Sequence, residues 1–326
     1  MSAAAGEKSG DTSLRSEKMS AVMESDDTKM FCASCGTAGG DDIKLKRCNG
    51  CFLVRYCSVK CQRDHRKQHK RTCKERAAEL KDEILFKQPE NSHRGDCPLC
   101  CLPMSNDPTK STMMSCCSKC ICNGCDHANK KRETEGQLEH KCAFCRKAAP
   151  STQEEINQQW MKRVEANDPV AMRHMGTKRY YNGDYRGAFE YWSKAAALGD
   201  AHAHYQLSSL YMEGQGVEKD MKKELHHAEQ AAIAGHPDAR HNLGYREAEN
   251  GTCDRAVKHF IIAAKLGYDK SLETVKNLHG GGYVSKDDFA AALRGHKAAI
   301  DATKSSQREE AAEIDKKLAE NKTGAV

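Results

Sequence analysis

The chain has 326 residues, a formal net charge of +6, 30% charged and 6% aromatic residues and 18 cysteines, with a mean hydropathy of -0.79. That length allows two or three domains, the scarcity of aromatics argues against one large hydrophobic core, and no apolar run is long enough to span a bilayer as a helix. Residues 1–30 are Ser-, Glu- and Lys-rich with no apolar segment, so they read as a disordered lead without a secretion signal. A reducing cytoplasmic or nuclear setting is therefore expected for the cysteines that follow, rather than disulfides.

Between Phe31 and Lys74 stand four close ligand pairs: Cys32 and Cys35, Cys48 and Cys51, Cys57 and Cys61, His69 and Cys73. Eight such ligands complete two tetrahedral zinc sites. A stretch this short cannot bury enough apolar surface to fold unaided, whereas each structural zinc supplies on the order of 10 kcal/mol. The CxxC spacings suit tight turns that aim two sulfurs at one ion. The spacings of four put Cys57 with Cys61, and His69 with Cys73, on one face of a helical turn, and Val59–Arg76 is polar and compatible with a helix. A thioredoxin-like pair needs one CxxC beside a strand and helix, not four pairs that include a histidine.

In ligand order, including seven residues between Cys61 and His69, the segment resembles a MYND-type zinc finger, with a slightly long gap of twelve residues between the first two pairs. The resemblance implies interleaved pairing: Cys32, Cys35, Cys57 and Cys61 on one zinc, Cys48, Cys51, His69 and Cys73 on the other. The residues alone equally allow sequential pairing. After a helix running to about Phe86, Gln88–Ser92 read as a short linker.

A second cluster follows: Cys97 and Cys100, then Cys116, Cys117, Cys120, Cys122 and Cys125, then Cys142 and Cys145. It resembles a RING-type cross-brace finger, although no histidine lies between Cys100 and Cys125. The resemblance implies Cys97, Cys100, Cys122 and Cys125 on one zinc and Cys116, Cys117, Cys142 and Cys145 on the other, with Cys120 as a substitute in the second set and Cys101 spare. RING fingers recruit ubiquitin-conjugating enzymes. Leu99 matches their apolar contact position and Arg146 their basic one, whereas Ala143 stands where active members carry proline and Asp126–His140 holds no aromatic.

From Asn167 the pattern changes. Ala171, Ala203, Ala239 and Ser271 recur at separations of 32, 36 and 32, with Met175, Leu207, Leu243 and Val275 four residues on. Intervening segments end at Gly199, Gly235 and Gly267, each preceded by paired alanines and, seven residues back, by Trp192, Ala228 or Phe260. Such a period predicts helix pairs stacked into an α-solenoid, each pair closed by a left-handed glycine. The turn Gly214–Asp220 resembles that of Sel-one-like repeats, relatives of the tetratricopeptide repeat, and a degenerate fourth unit is expected over Lys270–Thr303.

Three further features carry no chemistry on this reading. His202 and His204 face different sides of a helix, and His226 and His227 are adjacent with no acidic or Cys partner, so no metal is assigned to them; Cys253 reads as a lone thiol. Arg63, Arg66, Lys67, Lys70, Arg71, Lys74 and Arg76 crowd one stretch, but without interleaved aromatics they read as a solvated basic face and argue against nucleic-acid binding.

The expected organisation is multidomain: two small zinc-stapled cross-brace modules followed by an all-α helical-repeat solenoid. Its segments are a lead at 1–30, a MYND-like finger at 31–76, helix and linker at 77–94, a RING-like finger at 95–150, repeats at 160–304 and a charged tail at 305–326. The sequence contains no intrinsic catalytic constellation, and every proposed zinc site is closed by four protein ligands. The expected function is a protein-interaction scaffold holding four zinc ions, two per finger, and binding peptides and proteins. A ubiquitin ligase working with a conjugating enzyme is the alternative.

Overall fold

The computed structural model describes residues 31–323; the lead at 1–30 lies outside them. The described residues form two compact units that divide after Leu85.

In the first unit a minimal hairpin pairs β1 (Lys46–Arg47) antiparallel with β2 (Arg55–Tyr56), Lys46 opposite Tyr56. A single helix, α1 (Val59–Leu85), follows. The buried cluster around the hairpin is Cys32, Cys48, Cys51 and Tyr56, with Leu45 and Val54 packed against it. Its centre is sulfur rather than aliphatic carbon, as expected where ions replace a hydrophobic interior. The basic run lies on α1 and is partly neutralised: Arg71 pairs with Glu75, and Arg76 with both Glu79 and Glu83.

The second unit opens with another small hairpin, β3 (Ser111–Met113) antiparallel to β4 (Cys120–Cys122), in the register Ser111 opposite Cys122, and leads into α2 (Asn123–Glu135). Then come α3 (Gln153–Glu165), α4 (Pro169–Tyr181), α5 (Tyr185–Ala197), α6 (Ala201–Glu213), α7 (Met221–Ile233), α8 (Pro237–Glu249), α9 (Cys253–Lys265), α10 (Asp269–Gly280) and α11 (Lys286–Ala302). Consecutive helices from α3 to α11 pack on one another as a solenoid.

The repeat joints are very short. At Gly199, Gly235 and Gly267 the backbone is left-handed (φ 86°, 84° and 82°). The glycine N–H and the following N–H bond back to the two alanine carbonyls before them, as in Gly199 to Ala196 and Asp200 to Ala195. At the first two joints the residue after the glycine then caps the next helix with its side chain: Asp200 receives the Ala203 N–H and His236 that of Ala239.

The alanines named above are buried, as are Trp192, Ala228 and Phe260, while Met175 is only half-buried and Met172 fills the core in its place. The tail forms α12 (Ser306–Thr323), which packs against α2.

Candidate metal centres

In the first unit, Cys32, Cys35, Cys57 and Cys61 gather their sulfurs in one place, and Cys48, Cys51, His69 and Cys73 theirs in another, every ligand atom within 4.8 Å of the others in its group. The two groups are interleaved along the chain. Sulfur separations are 3.5 Å for Cys35 with Cys57, 3.6 Å for Cys57 with Cys61 and 3.7 Å for Cys48 with Cys73; His69 Nε2 lies 3.2 Å from Cys51 Sγ. Two sulfurs sharing a tetrahedral zinc stand about 3.8 Å apart for Zn–S near 2.3 Å, while a disulfide needs about 2.05 Å. The donor set therefore fits an ion and not a covalent bridge.

One local expectation needs correction. Cys57 lies in the bend before α1, and only Cys61 is on the helix, so that pair converges through a helix entry rather than a helical face. A Cβ on Gly50 would stand 3.0 Å from Cys73 Sγ, so a larger residue at this turn would press on that ligand.

The charge state tells the same story. Burial raises the Cys32 thiol, but N–H groups of Cys57, Cys35 and Ser34 outweigh it and hold the group at about 6. The thiols of Cys35 and Cys61 push Cys57 up to about 12, and burial with Cys48 does the same to Cys73. Four neighbouring thiols cannot all ionise by themselves; a divalent cation removes that conflict.

In the second unit, Cys97, Cys100, Cys122 and Cys125 form one group and Cys116, Cys117, Cys142 and Cys145 another. Here too the sulfur distances suit a shared ion: 3.9 Å for Cys97 with Cys125, 3.8 Å for Cys100 with Cys122, 3.4 Å for Cys116 with Cys145 and 3.9 Å for Cys117 with Cys142. Cys120 stands outside both groups, 3.9 Å from the Arg94 guanidinium. Cys101 is exposed.

The clusters share one building device. Gly36, Phe52, Cys101, Ser118 and Arg146 all have positive φ (73°, 56°, 55°, 56° and 62°), and each donates its N–H to the carbonyl four residues earlier at 2.8–3.0 Å. This closes the loop that carries the thiols. Cys101 and Arg146 thus have a backbone role that their side chains do not announce.

Sequence reasoning missed two contributors. Arg308, on the tail helix, donates to the Leu102 carbonyl at 3.1 Å, the Pro103 carbonyl at 2.6 Å and Cys100 Sγ at 3.4 Å. The other is His93 of the linker, which joins His202 and His236 in a fifth group. No spacing rule could have found either across such sequence distances. His204 meets His227, their Nδ1 atoms 2.9 Å apart, and belongs to no metal group.

Residues 32–73 match the family described as MYND finger. Residues 169–200, 201–236 and 237–268 match the Sel1 repeat. The chain carries a MYND finger and three Sel1 repeats. The MYND finger and the sulfur clusters make zinc the cofactor of this architecture.

Among curated proteins, Chitin synthase regulatory factor 4 of Schizosaccharomyces pombe (strain 972) is 31% identical over 84 residues, 26% of this chain and 13% of its own length. Tudor domain-containing protein 1 of Oryzias latipes is 36% identical over 66 residues, 20% of this chain and 5% of its own. The chain thus matches a small part of either relative. Among solved structures, a Sel1 repeat protein from Oxalobacter formigenes is 26% identical, covering 47% of this chain and 66% of that one at a TM-score of 0.40. A protective antigen present in uropathogenic Escherichia coli strains and displaying an SLR fold is 21% identical, covering 52% and 37% at a TM-score of 0.36. No helix among the described residues is long and apolar enough to cross a membrane.

Proposed function

We propose that the protein is a zinc-built scaffold of a reducing compartment, in which the MYND finger captures short peptide segments and the repeats dock a larger partner. Four structural zinc ions, two in each cysteine module, hold the fingers on this reading, and the sixteen clustered Cys and His side chains are their ligands.

The observation that carries the peptide role is a groove of ≈ 570 Å³ on the MYND finger, whose lining includes the ligands Cys48, His69 and Cys73. Val59 lines it together with Arg63, Arg66 and Lys70. Val59 is 62% exposed, an unusual place for a β-branched apolar residue at a helix start. Such a lining suits an apolar, proline-containing segment flanked by acidic residues, since Coulomb attraction from the edge steers it and apolar contact holds it.

The test is fluorescence anisotropy with a panel of labelled proline-containing peptides, with and without flanking glutamates, on the zinc-loaded full chain. Saturable binding that is abolished by Val59→Glu and weakened several-fold for the acidic peptides by Arg66→Glu, at unchanged zinc content, is the expected result. Absence of saturable binding, or binding indifferent to Val59→Glu, would sink it.

A second reading, ubiquitin-ligase activity of the RING-like module, has one feature in its favour: Leu99 is 39% exposed on the first loop of that module. Against it, the Arg146 guanidinium already donates to Asn129 Oδ1 at 2.9 Å and faces Glu133. Ala143 packs inward against the module's core. Discharge of charged conjugating enzymes, compared between the native chain and Leu99→Ala, separates the two readings.

A further inference from the structure

His93, His202 and His236 come from three separate places: the segment before the second cysteine cluster, the first turn of α6, and the joint that opens α8. Their candidate ligand atoms nevertheless lie within 4.8 Å of one another. His202 Nδ1 and His236 Nε2 are 3.0 Å apart, near the separation of about 3.3 Å for two imidazole nitrogens on one tetrahedral zinc with Zn–N near 2.05 Å. His93 stacks on His236 with centroids 4.1 Å apart, so its ring must turn for both nitrogens to meet one ion, while His202 and His236 have centroids 5.1 Å apart. His236 is 2% exposed, and His93 Nδ1 is buried with no hydrogen-bond partner among the described residues. A buried ring nitrogen left unsatisfied in an otherwise well-bonded fold points to a ligand that it was built to meet.

The backbone brings His93 here by design. Its N–H donates to the Gly235 carbonyl at 3.0 Å, and a Cβ on Gly235 would stand 2.6 Å from the Asn91 carbonyl oxygen. Only glycine lets this segment lie so close to the repeat joint, so the same residue that closes one repeat also seats the histidine.

We propose that His93, His202 and His236 form a separate divalent-metal site, an imidazole-only centre that pins the segment at 91–95 to the joint between two repeats. Three neutral nitrogens suit a borderline first-row ion such as zinc, and leave a fourth position open, unlike the thiolate clusters. All three rings are neutral at physiological pH. Burial, His202 and Arg94 bring His93 down to about 3, burial and Arg173 bring His202 to about 4, and His236 lies well below its ordinary value. Protons therefore do not compete for the ligands.

The surrounding charges are balanced. Arg94 and Arg173 oppose a cation, but Arg173 is tied to the Asp200 carboxylate at 3.0 Å. The Asp238 carboxylate stands 3.8 Å from His236 Nδ1; ligation through Nε2 puts the ring proton on Nδ1, which then turns from acceptor of the Ala239 N–H into a donor toward that carboxylate. A carboxylate behind a ligating histidine is the usual outer partner. The ion's place is distinct from the MYND groove, so the two ideas stand or fall separately.

The decisive measurement is metal content of the full chain after equilibrium dialysis against buffered free zinc, native beside His93→Gln and His202→Gln, with circular dichroism to confirm retained helices. The native chain should hold one zinc more than either variant. Added to chain whose thiolate clusters are already held by zinc, cobalt(II) should give a ligand-field absorption with no accompanying thiolate charge-transfer bands, and both variants should lack it. His236 is left unaltered because it caps α8. Equal zinc in all three folded proteins, or cobalt absorption carrying thiolate bands alone, would overturn the assignment.

Discussion

At the residue scale, the most instructive position is Cys101. By its neighbours it looked like a spare thiol, but its φ of 55° and its N–H bond to the Cys97 carbonyl at 2.8 Å make it the residue that closes a metal-binding turn. A left-handed conformation costs a non-glycine residue about 1–2 kcal/mol. Cys101→Gly should therefore leave zinc content unchanged and raise the denaturation midpoint of the module, whereas Cys101→Val should destabilise the module by about 1–2 kcal/mol. Loss of a zinc in Cys101→Gly would instead make the thiol a ligand. The thiol clusters themselves were legible because ligand spacing is a local property. The positive-φ residues were not, since Phe52, Ser118 and Arg146 show none of the glycine signature that Gly36 does. The three-histidine group was invisible for a related reason. His93 is placed by a backbone contact with Gly235, and nothing in either residue's own neighbourhood declares it.

At the scale of elements, the repeat period and the closing glycines could be read directly, because each unit must bury the same face on its neighbour. What the period concealed is how unit size is traded across a helix pair. A Cβ on Gly176 would come 2.5 Å from Trp192, and one on Gly244 would come 2.7 Å from Phe260. The middle unit instead carries Ser208 and Ala228 at the corresponding places. A large aromatic on one helix is thus matched by the absence of a side chain on the other. Gly244→Ala should destabilise the array by about 1–3 kcal/mol through overpacking, despite better helix propensity, as seen in a lower midpoint of denaturant unfolding followed at 222 nm. A stabilised variant would show that Phe260 can move aside. Helix α12 illustrates the opposite failure of sequence reading: its charged composition suggests a solvated tail, yet Arg308 finds three acceptors on the second cysteine module.

At the scale of the whole molecule, two kinds of stability coexist in one chain. The centre of the first unit is made of thiols, one tyrosine and a few apolar neighbours, whereas the repeats have cores such as Met172, Trp192, Leu207 and Leu210. A strong chelator under reducing conditions should therefore abolish protease resistance and proton-chemical-shift dispersion over 31–76, with little loss of helical signal from α4 to α11. Retention of a cooperatively folded MYND finger without metal would contradict the zinc-core account.

The return of α12 onto α2 has a consequence for how this chain comes apart. Gly124 is so close to the last helix that a Cβ would stand 2.8 Å from the Arg308 nitrogen. The second module is thereby buckled to the repeats at both ends of the intervening sequence. A single protease cut engineered between Pro150 and Gln153 should yield two fragments that co-elute in gel filtration, and Arg308→Ala or Gly124→Leu should weaken their association by loosening the buckle. Severing the peptide chain would not be enough to release the finger.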